Sequence, residues 1–301
     1  MICWKKKDFD NPPEVLKSTG CARKIKSAVD QKSGSVYNGY YYSHDQVKEK
    51  LKAYSINQDF FSEANGDQAK CYYCESFTEA CAALQVEHYR PKSKVDGVSE
   101  HHGYYWLGCE WTNLLLACPK CNQQNAKGNK FPVGTMRVFD HNPIVDNRYV
   151  RTQCYVNRSP LIEERPLLFH PEVDGEEIAR NLSFDINGQI YGHSDRANAT
   201  ITICRLNRRN LIISRKGILD ELMNRINLVI LSCEQSLIPF ENVEKVFCNI
   251  CLNIKESFDC RKKYTLFARC FNENFNVFFV DQVPQRYKDP LREAWRRTSA
   301  E

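Results

Sequence analysis

The stretch that decides the fold begins with Cys71-Tyr-Tyr-Cys74 and ends with Cys118-Pro-Lys-Cys121-Asn122. Four thiolates can enclose a tetrahedral zinc ion, and a spacer of two residues lets both sulfurs of a pair reach it. The segment 75–117 between the pairs is longer than in a zinc ribbon and leaves room for two paired strands. We therefore predict a structural zinc site formed by Cys71, Cys74, Cys118 and Cys121. The alternative is four ordinary reduced thiols in a chain that has 15 cysteines.

A third pair, Cys248-Asn-Ile-Cys251, lies in a different setting. Apolar residues recur around it at the spacing of one helix face, and Cys260 follows nearby. We interpret these cysteines as small core residues and not as a second metal site.

The segment between the first two pairs carries residues suited to phosphodiester hydrolysis. Neutral His88 can take a proton from water near pH 7. Its neighbour Glu87 offers a carboxylate and Asn122 an amide oxygen, which are the ligand types that magnesium prefers. Asn113 can pin the loop through backbone hydrogen bonds and orient His88. Neighbouring residues on an extended segment point to opposite faces, so Glu87 and His88 need a local bend to serve one site. The other histidines, including His170, are interpreted as ordinary surface or packing residues.

The order Glu-His, Asn, Cys-x-x-Cys-Asn and Lys resembles the HNH nuclease motif. The resemblance implies a ββα-metal fold with His88 as general base and Glu87 as the acidic metal ligand. Asn113 matches the middle asparagine, and Asn122 matches the final metal-ligand position. Histidine is common at that last position and aspartate at the first, so both metal-ligand positions depart from the commonest pattern. The catalytic ion implied is Mg²⁺ or Mn²⁺.

A wider resemblance runs from about residue 70 to about residue 216. It is carried by Cys71-Tyr-Tyr-Cys-Glu75, Glu87-His-Tyr-Arg-Pro-Lys92, Tyr104-Tyr-Trp-Leu107, Trp111-Thr-Asn-Leu114, Gly128-Asn-Lys-Phe-Pro132, Glu164-Arg-Pro-Leu-Leu168, Thr200-Ile-Thr-Ile203 and Leu206-Asn-Arg-Arg-Asn-Leu211. These strings are similar to the HNH subunit of Septu and retron-associated anti-phage systems. The similarity implies an ABC-type ATPase partner that holds the nuclease back until infection is sensed. In a retron setting, a reverse transcriptase and its RNA–DNA product are further partners.

The substrate implied is a nucleic acid, with DNA and RNA both open. We assign the basic residues of the module, Arg90, Lys92 and Lys127, as candidate contacts to it. The runner-up is a zinc-knuckle module that binds nucleic acid or protein without cutting it. The Glu87-His88 pair separates the two functions, because a pure binding module has no need of it.

Composition sets outer bounds on the function. A hydrophobic content of 42% over 301 residues is enough for a sizeable core. No apolar run has the length of a membrane span, and the N-terminus has no apolar signal-peptide core. Fifteen cysteines favour the reducing cytoplasm.

The net charge of +5 permits but does not require nucleic-acid binding. A basic cluster can contact phosphates, or it can form a solvated helix face or a face that meets an acidic partner: Arg205, Arg208, Arg209, Arg215 and Lys216.

We expect an α+β protein in four segments. Residues 1–70 form an N-terminal extension with a helix at Val47, Leu51 and Tyr54 and a turn at 65–67. Residues 71–132 form the zinc-stabilised HNH module, whose helix ends at Phe131-Pro132. Residues 133–199 contain loops and short strands. Residues 200–301 form a mainly helical region that serves as a partner platform. The sequence Phe184-Asp-Ile-Asn-Gly-Gln-Ile190 predicts a hairpin with a type I′ turn at Asn187-Gly188.

Overall fold

A computed structural model describes residues 7–57, 69–78 and 82–299 of the chain. The turn expected at 65–67 lies outside these ranges. The chain divides into two compact units. The first unit runs to Leu182 and includes Gly192–Leu206, and the second comprises Ser183–Tyr191 and Asn207–Glu301. Helices alternate with small two-stranded sheets, which confirms the α+β class.

Within residues 7–57, three α-helices precede the first cysteine pair: α1 (Glu14–Lys17), α2 (Thr19–Asp30) and α3 (Asp45–Ser55). The predicted helix at Val47, Leu51 and Tyr54 is confirmed as α3, which buries these three side chains. Its first turn is capped by His44, whose ring nitrogen accepts from the backbone N–H of Gln46 at 3.2 Å. The segment expected as an extension therefore belongs to the same compact unit as the cysteine pairs.

The centre of the first unit is a strand pair followed by a short helix. Strand β1 (Gln85–His88) runs antiparallel to β2 (Leu114–Ala117), with His88 opposite Leu114. The helix α4 (Pro119–Asn122) follows at once and starts on a proline, which suits a first helical turn.

The helix predicted to end at Phe131-Pro132 is much shorter than expected, because α4 ends at Asn122. The backbone N–H of Lys127 donates to Cys121 at 3.1 Å, and Gly128 has a positive φ of 44°. The chain after Asn122 therefore folds back towards β1 and does not continue as a helix.

The rest of the first unit contains more helix than the expected loops and short strands. Strands β3 (Ile144–Val145) and β4 (Arg148–Tyr149) form a hairpin. Helices α5 (Gly175–Asn181) and α6 (Asp195–Ile203) follow. Turns of 3₁₀ helix occupy Gly34–Val36, Tyr105–Leu107, Trp111–Asn113, Arg151–Cys154 and Leu161–Glu164.

The second unit begins with the predicted hairpin, formed by β5 (Leu182–Phe184) and β6 (Ile190–Gly192). Its turn is not type I′, because Gly188 has a positive φ and Asn187 does not. The Asp185 carbonyl accepts from Gly188 at 3.0 Å, so the turn starts one residue earlier than expected. The helices of this unit are α7 (Arg209–Glu234), α8 (Val243–Glu256), α9 (Thr265–Glu273), α10 (Phe275–Phe278) and α11 (Gln285–Arg297), with 3₁₀ turns at Phe240–Asn242 and Val280–Gln282.

An aromatic cluster forms part of the core of the second unit. Phe275 stacks on Trp295 with ring centroids 4.1 Å apart, and Phe271 packs edge-on against Phe279 at 5.7 Å. On α8, Cys251 is buried and Cys248 half-buried. The part of the chain that the structure describes contains no helix both long and apolar enough to cross a membrane.

Candidate metal centre and active site

The two cysteine pairs meet in a single buried cluster. The four sulfurs of Cys71, Cys74, Cys118 and Cys121 lie within 4.8 Å of one another, and those of Cys74 and Cys118 are 3.8 Å apart. Sulfurs about 2.3 Å from a tetrahedral zinc ion are separated by about 3.8 Å. Burial raises the pKa of the Cys71 thiol well above its ordinary value. A dication would offset that cost, so the cluster has the donor set and the spacing to hold zinc.

Both knuckles are tight turns closed by backbone hydrogen bonds. In the first, the N–H of Glu75 donates to Cys71 at 2.9 Å, and Glu75 adopts a left-handed φ of 60°. In the second, the N–H groups of Cys121 and Asn122 donate to Cys118 at 2.9 and 3.0 Å. Asn122 is therefore held one residue beyond the last thiol.

A cavity of about 240 Å³ lies beside this cluster and brings together several predicted site residues. Glu87 and His88 both line it, so the end of β1 presents two neighbouring side chains to one space. Asn122 lines it from the second knuckle. The remaining lining residues are Tyr42, Val86, Pro91, Lys92, Ser93, Gly128 and Asn129.

The orientation of His88 is fixed by two contacts. Its Nε2 donates to the carbonyl of Gly108 at 2.9 Å, because a carbonyl can only accept. The ring of Tyr42 meets the imidazole edge-on, with centroids 4.7 Å apart. Burial, with the nearby charge of Lys92, lowers the pKa of His88 to about 3. The ring is therefore neutral at pH 7, and Nδ1 carries the lone pair that can accept a proton.

Glu87 is paired with a cation in the interior. Its carboxylate contacts the ammonium of Lys127, and both side chains are almost fully buried. The same ammonium donates to the His88 carbonyl at 2.5 Å. Burial raises the pKa of Glu87 above its ordinary value, although Lys127 and Lys92 oppose this rise. Lys127 thus ties the returning loop after α4 to the end of β1.

The two asparagines have different surroundings. Asn113 is buried, and its side chain brackets the backbone of Arg90, accepting from the N–H at 2.8 Å and donating to the carbonyl at 3.0 Å. It thereby fixes the chain two residues after His88. Asn122 is half-buried and donates its amide to Gln85 at 3.0 Å, which leaves its carbonyl oxygen as the atom available to a cation.

The three basic residues expected to contact nucleic acid differ in exposure. Arg90 is buried, with Nε donating to Glu164 at 2.9 Å and a terminal nitrogen donating to Leu161 at 2.6 Å. Lys127 is also buried. Both cations, which were expected to contact nucleic acid, are therefore paired with groups inside the protein. Lys92 is half-buried, lines the cavity and lies 5.3 Å from the Tyr42 ring.

Two contributors to the site were not predicted from the sequence. Tyr42 comes from a polar segment far upstream, and Gly108 acts through its backbone carbonyl. The one available signal was position, since Gly108 directly follows the matched string Tyr104-Tyr-Trp-Leu107. For Tyr42, no local pattern distinguishes it from Tyr40 and Tyr41.

Two Septu proteins are similar to this chain in sequence. Over 159 residues the chain is 41% identical to the Septu protein PtuB of Bacillus mycoides (strain KBAB4), covering 51% of this chain and 48% of that protein. The matched part of the chain is PtuB-like. The chain thus spans about half the length of this relative. This similarity confirms the resemblance to Septu proteins that was expected from the sequence.

A second relative is the Septu protein PtuA of the same strain. It is 32% identical over 172 residues, covering 56% of this chain and 21% of PtuA. The PtuB-like chain therefore also resembles a limited part of a much longer protein. No protein-family model matches the chain, and no solved structure matches it.

Proposed function

We propose that this PtuB-like chain is a metal-dependent HNH endonuclease that hydrolyses nucleic-acid phosphodiester bonds as part of an anti-phage defence system. The observation that carries the proposal is the cavity in which Glu87, His88 and Asn122 meet beside the four-cysteine cluster. The order of β1, β2 and α4 around it supports a ββα-metal module. A structural zinc ion in the cysteine cluster would hold the two knuckles together.

His88 is the base in this proposal. With Nε2 committed to Gly108, Nδ1 takes a proton from the water that attacks phosphorus, while the bond from phosphorus to the leaving oxygen breaks. The leaving oxygen takes its proton from solvent. The bound phosphate brings negative charge into the cavity, which raises the pKa of His88 towards the working range.

Two sources of positive charge can neutralise the phosphate in the cavity: Lys92 and a metal ion held by the proposed ligands. Lys92 lines the space and can neutralise a phosphate oxygen. The carboxylate of Glu87 and the amide oxygen of Asn122 are suited to hold Mg²⁺ or Mn²⁺, which retain several waters. Such an ion would supply Lewis-acid stabilisation of the phosphate. Asn113 holds the backbone after His88 in position.

The proposal is tested by incubating purified protein with plasmid DNA and with RNA, in the presence of magnesium or manganese. We expect His88→Ala to lower the cleavage rate by about 10²–10⁴-fold. Its affinity for nucleic acid should change only a few-fold, because no phosphate contact is removed. His102→Ala, at an exposed histidine outside the cavity, is the matched control and should cut at the wild-type rate. Equal rates for the two variants would place the active site elsewhere.

The dependence of the cleavage rate on the magnesium concentration is a second, independent test of the proposed function. Asn122→Ala should shift the magnesium requirement to higher concentrations without changing the zinc content. A wild-type protein that binds nucleic acid but cuts with neither metal would favour the non-catalytic zinc-knuckle function.

We propose an ABC-type ATPase as the partner that restrains the nuclease. The similarity to PtuB and PtuA supports a multi-subunit complex. Purification from the native cell should recover the ATPase, and also a reverse transcriptase if the system is retron-associated.

Within the basic cluster, Arg215 is buried and donates to Gly188 at 3.2 Å, so it is not a surface contact. Replacing Arg205, Arg208 and Arg209 with Glu should weaken co-purification and leave the zinc content intact. Loss of nucleic-acid binding with normal co-purification would instead make this cluster a phosphate contact.

A further inference from the structure

A second cavity, of about 610 Å³, lies in the first unit away from the proposed active site. It is bordered by α1, α2 and the β3–β4 hairpin with the turn that follows. Five of its lining residues are cations, and none of the lining residues within the described ranges is acidic: Lys17, Arg23, Lys26, Arg148 and Arg151. We call this cavity the basic groove. We propose that it binds the phosphate backbone of the nucleic-acid substrate.

The floor of the basic groove has unused hydrogen-bond donors. Both terminal nitrogens of Arg151 are buried and donate no hydrogen bond to any residue that the structure describes. Its acidic neighbour, Glu110, is 3.9 Å away and already accepts from Tyr149 at 2.7 Å and from Thr112 at 3.1 Å. Arg151 therefore adds positive charge beside the groove, which favours negatively charged phosphate oxygens there.

The walls of the basic groove are arranged as a track. On α2, Thr19, Arg23 and Lys26 share one helix face, since they are spaced by four and three residues. At 1.5 Å per residue this row is about 10 Å long, which corresponds to about three phosphates of a strand at 3.4 Å each. Arg148 stands on the opposite wall at the start of β4. Cations on both walls of an open groove fit a chain of phosphates better than one small anion.

Existing ion pairs do not block this role. Lys26 pairs with Asp30 at 2.7 Å, but both side chains are about half exposed. Lys17 contacts Glu14, which is mostly exposed. Such surface pairs are weak and screened, so phosphate can replace the carboxylates. The first turn of α2 also opens into the groove at Thr19, where the helix end favours negative charge.

The basic groove is mechanically connected to the proposed catalytic centre. Helix α2 packs against the 3₁₀ turn Tyr105–Leu107, and the next residue, Gly108, accepts the hydrogen bond from His88. Tyr37 also holds this 3₁₀ turn, because its hydroxyl donates to the Tyr105 carbonyl at 2.9 Å. A strand held in the groove would therefore be bound to the same compact unit that carries the base.

The inference rests on the proposed nuclease function, and its test separates the two. Binding is measured by fluorescence anisotropy on the 301-residue chain carrying His88→Ala. Labelled duplex DNA, single-stranded DNA and RNA are compared over a series of salt concentrations. The groove variant adds Arg23→Gln, Lys26→Gln and Arg148→Gln. The matched control adds Arg180→Gln, Lys245→Gln and Lys263→Gln, which removes the same charge at exposed positions outside the groove.

We expect the groove variant to lose at least tenfold in affinity near 0.1 M salt, and the control less than threefold. The slope of log affinity against log salt should fall by up to about 2.7 for duplex DNA, at about 0.9 per lost phosphate contact. The arm with the largest loss identifies the preferred nucleic acid. Equal losses in the two variants, or an unchanged salt slope, would overturn the inference. If the groove variant behaves as expected but the protein with intact His88 never cuts, the nuclease proposal fails and the groove stands.

Discussion

At the scale of single residues, Lys127 links the features of the site most directly. One ammonium neutralises Glu87 and donates to the backbone of His88, and it is fully buried. Lys127 therefore supplies the counter-charge that a buried carboxylate at Glu87 requires. Its partner cation also explains why the chain after α4 must fold back at once, since a longer helix would carry Lys127 away from β1.

Replacing Lys127 with Met should therefore destabilise the protein strongly. The variant leaves Glu87 buried without a counter-charge, and breaking such a pair costs about 3–5 kcal/mol. The double variant Lys127→Met with Glu87→Gln removes both charges and should recover a large part of this loss. Urea unfolding at constant zinc and without magnesium measures both effects. A double variant as unstable as Lys127→Met alone would show that charge burial is not the cause.

His170 provides a residue-scale prediction about pH. Its Nε2 donates to the Thr112 carbonyl at 3.1 Å, and its Nδ1 accepts from the N–H of Glu172 at 3.3 Å. Burial holds the pKa of His170 well below its ordinary value, so the folded protein keeps this ring neutral. The unfolded chain takes up a proton below about pH 6.5, which favours unfolding as the pH falls.

We expect wild-type stability to fall more steeply than that of His170→Gln between about pH 6 and pH 5. The glutamine can donate and accept but does not titrate. The difference in slope should approach about 1.4 kcal/mol per pH unit. Chemical unfolding of both proteins at several pH values measures it. Parallel curves would mean that the buried ring is protonated in the folded state.

At the scale of elements, the sequence predicted those features that arise from local spacing. The cysteine pairs, the position of His88 before Asn113 and the helix α3 all follow from short patterns. The features that were missed depend on distant chain segments. Arg90 and Lys127 were expected from the sequence to contact nucleic acid, yet Glu164 and Glu87 pair with them inside the protein. A sequence does not reveal which distant carboxylate will neutralise a given cation.

The length of α4 illustrates the same limit on a larger element. The apolar Phe131 before a proline is a reasonable helix end, but the residues between it and Asn122 include glutamines, asparagines and one glycine. Gly128 adopts a positive φ and ends any helix before that point. The ion pair between Lys127 and Glu87 then sets the course of the chain after α4. Helix propensities and capping patterns in the sequence do not reveal this pair.

The two cysteine knuckles give the element-scale prediction. Structural zinc contributes about 10–16 kcal/mol of apparent binding energy in small modules. Chelation, or Cys121→Ser, should therefore lower the unfolding temperature and remove about one zinc per chain as measured by elemental analysis. Cys251→Ser, at a buried cysteine on α8 outside the cluster, is the matched control and should keep its zinc. Freshly purified protein with less than about half a zinc per chain would contradict the assignment.

At the scale of the whole molecule, the boundary between the two units does not follow the chain order. The hairpin segment Ser183–Tyr191 lies inside the second unit although its flanking residues belong to the first. Within that unit Phe184 packs edge-on against Phe267 at 5.2 Å, and the backbone N–H of Ile190 donates to Asn207 at 2.9 Å. A single cut near residue 200 therefore cannot separate the units cleanly.

Ending the chain after Leu206 should accordingly give a poorly soluble protein. The cut removes the helices that cover the hairpin and exposes Phe184 and Ile190, each worth about 1.5–3 kcal/mol when buried. Replacing both with Ser in the shortened chain should restore a monodisperse species on size-exclusion chromatography, because the exposed apolar surface is then gone. The same two replacements in the full chain should lower its unfolding temperature, since there the side chains are core residues. A shortened chain that is soluble with Phe184 and Ile190 intact would show that the hairpin does not depend on the second unit.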